Sequence, residues 1–451
     1  MIVRTSKASL EEFDRSKIVN SLVTEAHVPL EDAQRVAREA ERRLQRFKTK
    51  YLTAPLIREI VNAVLLERGL EEYRHKLTRL GLPVYDVTNL IKSASEKGSS
   101  VDAIIRSAGE KVFAEYTLLN IFPRDAADAH LSGVFHLENL GCWILKLDEF
   151  IHDLRFFFRY GIKFVNAYSM ESSYPPPKSY EAALQVIFNI LNIASSEVSG
   201  GQAIPHFNVF LAPFIKGLSG DRVLEGIRNF IAVISNAYTA SNSGILSIGI
   251  DLSIPKNLRR RIAYGSGGEM VGRYAEFTDE SIFLASAIMD TLIKDCEKNP
   301  ITNLTPIINI RKEDLEDKND LLYKAHELAA ETSLPLFANQ CRKDWETSTC
   351  TSSGARFNSD WTGDWELDTL RTGVVGRVDL NLPRICYDSR YEKGKIEDLI
   401  DERVEMAVRA LEIKCRAISQ RGDEGLMPVS YTHLRAHETR HDIVCRLLLE
   451  K

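Results

Sequence analysis

Apolar residues recur along the first 92 residues with the beat of a helix. In "LEDAQRVAREAERRLQRF", Ala33, Val36, Ala37, Ala40, Leu44 and Phe47 fall on one stripe. "TAPLIREIVNAVLLERG" repeats the stripe with Ile57, Ile60, Val61, Val64 and Leu65, opens on Thr53 as an N-cap and stops at Gly69. Short helices with one apolar face each predict a small bundle over residues 1–92. The small polar run "KSASEKGSS" (92–100) reads as a linker. The texture then changes. Helices are predicted at 101–118, 179–195, 222–240, 277–296, 313–331 and 398–420. Short apolar runs predict strands at 244–252, 305–310, 334–339 and 375–382. Such alternation predicts an α/β domain with its strands inside.

Composition adds bounds. The chain has 451 residues, enough for two or three domains. Its net charge of -5 gives no electrostatic reason to expect nucleic acid as a partner. No apolar run is long enough to span a bilayer, and "MIVRTSKASLEEFD" lacks the apolar centre of a signal peptide, so the cytoplasm is the expected compartment. The seven cysteines form no C-x-x-C pair, which argues against a disulfide framework or an internal zinc ribbon.

The C-terminal stretch "PVSYTHLRAHETRHDIVCRLLLEK" places His433, His437, His441 and Cys445 four residues apart, the spacing of a metal stripe on one helix face. Back-translated, however, "PVSYTHLRAHET" resembles a transposase adapter used in preparing sequencing libraries. "DIVCRLLLE" resembles the primer segment that follows it, with Ile443 the one mismatch. Residues 428–451 are therefore expected to be a non-native tail, and no metal site is expected in this chain.

Four stretches of the chain carry a family resemblance. "IVRTSKASLEEFDRSKI" resembles the strand–turn–helix opening of an ATP-cone, a regulatory nucleotide-binding module. Arg4, Lys7 and Lys17 put fixed cations around that turn, and Glu11 and Thr53 complete the implied effector site for ATP or dATP. The family's Lys-Arg-(Asp/Asn)-Gly run is replaced here by "RTSKAS". Further on, "FPRDAADAHLSGVFHLENLG" (122–141), "EVSGGQAIPHFNVFLAPF" (197–214) and "DWELDTLRTGVVGRVDLNLPRICYD" (364–388) resemble, in order, segments of the anaerobic (class III) ribonucleoside-triphosphate reductases.

The resemblance implies an α/β fold: a small helical ATP-cone at 1–92, then part of a ten-stranded glycyl-radical barrel at 93–427. It implies reduction of ribonucleoside triphosphates by thiyl and glycyl radical chemistry, with ATP or dATP as effectors and formate as reductant. A radical-SAM activating enzyme and a homodimeric state are implied as well. Cys350, in "ETSTCTSSGARF", is the expected thiyl cysteine on a loop inside the barrel, with Cys341 the runner-up. Cys142 is the candidate second cysteine, expected on an early barrel strand. Gly200, Gly201 and Gln202 are expected to form a substrate-side loop, and Asn381 of the Asn-Leu-Pro-Arg segment to bind substrate. Asp364, Glu366, Asp368 and Arg371 are candidates to brace the cysteine loop, while His206 and His326 are expected to be structural. The radical glycine and the family's zinc site belong to a part not found here, so the chain is expected to be truncated and inactive by itself. Two alternatives stay open: another glycyl-radical enzyme, or a nucleotide-sensing regulator without catalysis.

Overall fold

The computed structural model describes residues 1–4, 10–46, 52–77, 80–82, 84–96, 100–165, 171–241, 244–296, 303–316, 319–359, 362–390 and 396–427. Lys7, Phe47, the Arg4 side chain and the whole 428–451 stretch, with its His433, His437, His441 and Cys445 stripe, lie outside them. The chain divides into two compact units, 1–83 and 84–451.

In the first unit the strand Ile2–Arg4 lies between Leu10–Glu12, antiparallel, and Leu52–Thr53, parallel. The expected bundle thus carries a small sheet, which short charged strands concealed from any apolar periodicity. Helices Arg15–Thr24, Leu30–Leu44 and Ala54–Glu67 supply the core. Its residues include Leu22, Ala33, Val36, Ala37, Ala40, Val61, Val64 and Leu65, the predicted stripes among them. Asp14 caps the first helix by accepting from Ser16 N at 2.8 Å. The Thr53 hydroxyl caps the third by accepting from Leu56 N at 3.4 Å.

In the second unit a six-stranded sheet runs in the order 336–339, 304–310, 245–251, 198–204, 147–151, 373–374. The first five strands are parallel and the last is antiparallel. The sheet curls into a half-barrel. Helices Tyr180–Ala194, Gly220–Ser241, Thr278–Cys296 and Asp320–Thr332 cover its outer face. Leu246, Ile248, Ile250, Leu304 and Ile308 point into that layer, so each strand presents alternate residues to the opposite, inner face.

Several boundaries differ from the sequence expectation. Helix Val84–Glu96 runs into the polar stretch read as a linker. The single helix expected at 313–331 is two, Lys312–Glu316 and Asp320–Thr332, the second capped by Asn319 accepting from Leu321 N. The strand expected at 375–382 shortens to Val378–Leu380 and pairs with Phe135–Leu137 instead of joining the main sheet. Two central strands, Leu147–Ile151 and Val198–Ile204, were not predicted at all. Gly200, Gly201 and Gln202 therefore lie in a strand, not in a loop. Glycine stands at 201 because strand crowding demands it: a Cβ there would sit 2.9 Å from Ile245 O.

Candidate active site

The inner face of the sheet is polar where the outer face is apolar. Strand register places Glu149, Gly201, Ser247, Asp251 and Asn309 on it. Onto this face docks a hairpin in which Thr349–Cys350 pairs with Arg356–Phe357. Four contacts hold the hairpin there. Ser353 Oγ donates to Glu149 Oε2 at 2.8 Å, and Ser352 N donates to Ser247 Oγ at 3.0 Å. Gln340 Nε2 donates to Ser348 O at 2.6 Å, and Phe357 packs with Ile151 and Ala203. At the outer end of the hairpin Arg356 donates to Asn339 O and lies over the Trp345 ring. Cys350 is thus carried on a loop gripped against the inside of the half-barrel. Burial pushes its thiol up, against the opposing charge of Arg356, so the S–H form persists at neutral pH.

The other two cysteine candidates lie elsewhere. Cys341 follows the 336–339 strand, where its thiol lies 3.7 Å from Ile310 O. Cys142 sits not on a strand but on a single 3-10 turn, Leu140–Cys142, ahead of the 147–151 strand. The run "NLGC" supplies the tight turn, with Asn139 at a positive φ of 52°. Its thiol donates to Glu110 Oε1 at 3.9 Å. It lines a cavity of about 280 Å³ together with Arg106, Asn139, Lys146 and Ser199, and no residue of the Cys350 hairpin shares that lining.

Where the parallel strands end, buried charge collects that sequence reasoning missed. His206 Nδ1 lies 2.7 Å from Asp251 Oδ2, and Arg311 and Asn309 both donate to Asp251 Oδ1. Burial alone would raise the Asp251 carboxyl, but the His206 and Arg311 charges outweigh it and hold the group below the usual carboxylate range. One strand over, Asp153 receives Arg155 and Arg371. His152 Nε2 donates to Gln202 Oε1 at 2.8 Å, while Gln202 Nε2 donates to Leu191 O. Full burial pushes the His152 imidazole down to about 4. The signal of these groups in the sequence is weak: in "LDEFIHDLR" acidic residues inside the strand hide the change from apolar to polar, and in "IGIDLS" Asp251 is a single polar residue at the end of a run.

The remaining candidates sort by position. Arg371 braces Asp153, and Glu366 meets Arg155 at 3.2 Å, so both tie the segment after the hairpin to the end of the 147–151 strand. Asp364 caps the helix Trp365–Leu370, and Asp368 accepts from Thr362. Asn381 is exposed and caps helix Leu382–Asp388, and its amide donates to Gly133 O. In the first unit, register sets Arg4 beside Thr53 and Leu10, and Lys17 pairs with Glu11. The strand–turn–helix therefore gathers Glu11, Lys17 and Thr53 around one sheet. Among the described residues no group of three or more His, Cys, Asp and Glu side chains is arranged to hold a metal ion. No described helix is long and apolar enough to cross a membrane.

A cysteine hairpin set inside a curled parallel sheet defines the class, an α/β enzyme fold of the glycyl-radical barrel type. Comparison with known proteins makes it specific. The family model "Anaerobic ribonucleoside-triphosphate reductase" matches residues 93–448, and "ATP cone domain" matches residues 1–78. The chain belongs to the anaerobic ribonucleoside-triphosphate reductase family and carries an ATP-cone at its front. It is similar to the anaerobic ribonucleoside-triphosphate reductase of Escherichia coli, 24% identical over 379 residues, covering 77% of this chain and 51% of that protein. The Haemophilus influenzae enzyme is 24% identical over 359 residues, covering 75% and 49%. The chain thus spans about half the length of the curated relatives it matches. Its fold is similar to that of the Thermotoga maritima anaerobic ribonucleotide reductase. The structure with citrate in the active site aligns at TM-score 0.59 and 17% identity, over 85% of this chain and 71% of that one. The complex with dATP and CTP aligns at TM-score 0.62 and 17% identity, over 86% and 65%.

Proposed function

We propose that this chain forms the effector-binding front and the cysteine-bearing half-barrel of an enzyme that reduces ribonucleoside triphosphates, with Cys350 as the thiyl residue. The observation that carries this is the seat of Cys350: a half-buried thiol on a hairpin held by Glu149, Ser247 and Gln340 on the inner face of the sheet. Hydrogen-atom transfer needs a neutral thiol that is fixed in place and kept from water, and burial of Cys350 favours that form. In the reaction a thiyl radical at Cys350 takes the 3′ hydrogen of the ribose: the C–H bond breaks and the S–H bond forms. The 2′ hydroxyl then takes a proton and leaves as water, formate gives two electrons on oxidation to carbon dioxide, and the 3′ hydrogen returns from Cys350, which regenerates the thiyl radical. A glycyl radical supplied by the family's C-terminal part, and formate, furnish the oxidising equivalent and the reducing electrons. Asn381, Gly200, Gly201 and Gln202 remain the proposed substrate-side residues; of the strand residues Gly201 is on the inner face, and the bond of Gln202 to Leu191 O in the outer layer counts against Gln202. Cys142 remains the proposed second thiol, and its position on a turn before the strand counts against that role. ATP and dATP are proposed to bind the first unit at Arg4, Lys7, Glu11, Lys17 and Thr53. A cytoplasmic homodimer activated by a radical-SAM enzyme completes the proposal.

The test is anoxic incubation of the gene's full translation product with such an activating enzyme and labelled CTP. The expected product is dCTP, and no deoxynucleotide under conditions that install the glycyl radical overturns the proposal. One DNA read belongs with it, across the codons for residues 420–451. We infer that the natural frame leaves this sequence after Met427, although the family match runs on to residue 448. A genome that encodes "SYTHLRAHETRHDIVC" overturns that inference and restores the His/Cys stripe as a metal-site candidate.

A further inference from the structure

We propose that Glu149 is the positioning residue of Cys350: from the inner face of the sheet its carboxyl group takes the hydroxyl of Ser353, itself bonded to that of Thr351, and so fixes where the neighbouring thiol sits. This rests on Cys350 as the thiyl residue and adds the residue that aims it. Glu149 is 5% exposed, and burying a carboxyl group is costly unless it is hydrogen-bonded. Its hydrogen-bond partner is Ser353, at 2.8 Å, on the hairpin and some 200 residues further along the chain. Ser353 in turn accepts from the Thr351 hydroxyl at 3.0 Å, which links three polar side chains in a row directly after Cys350. Gly201 pairs with Glu149 on the neighbouring strand, and a Cβ there would lie at an ordinary 3.5 Å from Oε1.

Direction is what such bonds add. Apolar packing tolerates sliding, whereas a carboxyl group receiving a hydroxyl that a second hydroxyl braces fixes both register and angle, and radical transfer requires placement to about 0.5 Å. The second tie, from Ser352 N to Ser247 Oγ, stops rotation of the loop about the first. The charged groups acting on Glu149 are Asp148 beside it and Arg377 beyond the 373–374 strand. Burial outweighs the hydroxyl bonds, so its carboxyl titrates above the usual range.

The experiment is alkylation of the full 451-residue chain with iodoacetamide, followed cysteine by cysteine through peptide mass spectrometry. Exposed Cys386 is the internal reference. Glu149→Ala should raise the Cys350 rate relative to Cys386 by about tenfold, the scale of one lost hydrogen-bond set. Glu149→Gln keeps an acceptor oxygen and should stay within about threefold of the parent. An Ala variant no more reactive than the parent, or a Gln variant as reactive as Ala, overturns the proposal. Should Glu149→Ala fail to fold, Thr351→Val with Ser353→Ala empties the same bonds from the hairpin side. That pair should give the same tenfold rise, and an unchanged rate overturns the proposal. Loss of the reductase assignment would read differently: Cys350→Ser would leave CTP reduction intact while the alkylation pattern stood.

Discussion

Cys350 and Cys142 invite comparison because their local numbers look alike. Each is half-buried, and burial pushes each thiol up. What surrounds them differs. Around Cys350, the Glu149 carboxyl and the Ser247 hydroxyl, from two different strands, converge on one short hairpin and take its hydrogen bonds. Around Cys142, a turn at the start of a strand opens on a cavity with Glu110, Arg106 and Lys146, and the ties are single hydrogen bonds. The lesson is that the state of a thiol does not reveal its role; what holds it in place does. A residue for hydrogen-atom transfer needs a fixed seat, and of these two thiols Cys350 is the one held by side chains from the sheet.

The sharpest way to break the contrast is activity. In the activated reductase, Cys350→Ser should lower the rate of dCTP formation by at least about a thousandfold, because no other group in the hairpin can carry a thiyl radical. Cys142→Ser should cost no more than about tenfold. Equal losses in a steady-state assay would put both thiols in the reaction and erase the distinction drawn from their surroundings.

Stability extends the comparison to the two ends of the sheet. The strand ends carry the His206–Asp251–Arg311 network, fully buried, whereas the strand starts beside Cys142 carry Lys146 on one carbonyl, Ser195 O, at 3.4 Å. Arg311→Met leaves Asp251 without its guanidinium partner and should cost about 3–5 kcal/mol in urea unfolding. Lys146→Met should cost no more than about 1 kcal/mol.

Acid should also act at the strand ends. His152 is wholly buried, and its imidazole is held down to about 4 against an ordinary 6.5. The unfolded chain therefore takes its proton first as pH falls. Stability from this residue is complete above pH 6.5 and drains away down to about pH 4, by about 3 kcal/mol. His152→Asn should flatten that part of the stability–pH curve, and an unchanged slope would mean that the histidine is protonated in the folded state.

What the sequence showed and hid follows the same division between faces. Helical stripes such as Val36–Ala37–Ala40 and the strand 245–251 were legible because one face is uniformly apolar. The strands 147–151 and 198–204 were not, because their inner-face positions hold Glu149 and Gly201, and Asp148, Ser199 and Gly200 stand beside them. The residues that build the site are the ones that spoil the pattern of the elements carrying it. The Cys350 loop is proposed through its resemblance to a family, whereas Glu149, His152 and Asp251 became visible only when the sheet brought distant segments together.

The smallest effect tests the Cys142 side of the contrast. Burial raises that thiol most, and the Glu110 carboxylate 3.9 Å away adds to it, with Lys146, Lys414 and Arg106 opposing. Glu110→Gln removes the charge and keeps the shape. The thiolate fraction at pH 8 should rise, and iodoacetamide should label Cys142 about two- to fivefold faster, since nearby charge rather than a gripping loop governs its access. Cys350 is insulated from Glu110 by the sheet's own architecture, with Glu149, Thr351 and Ser353 as its neighbours, so its rate should not move. A parallel rise at both cysteines would show general loosening of the domain. A rise at Cys142 alone would show one thiol governed by its charges and the other by its seat.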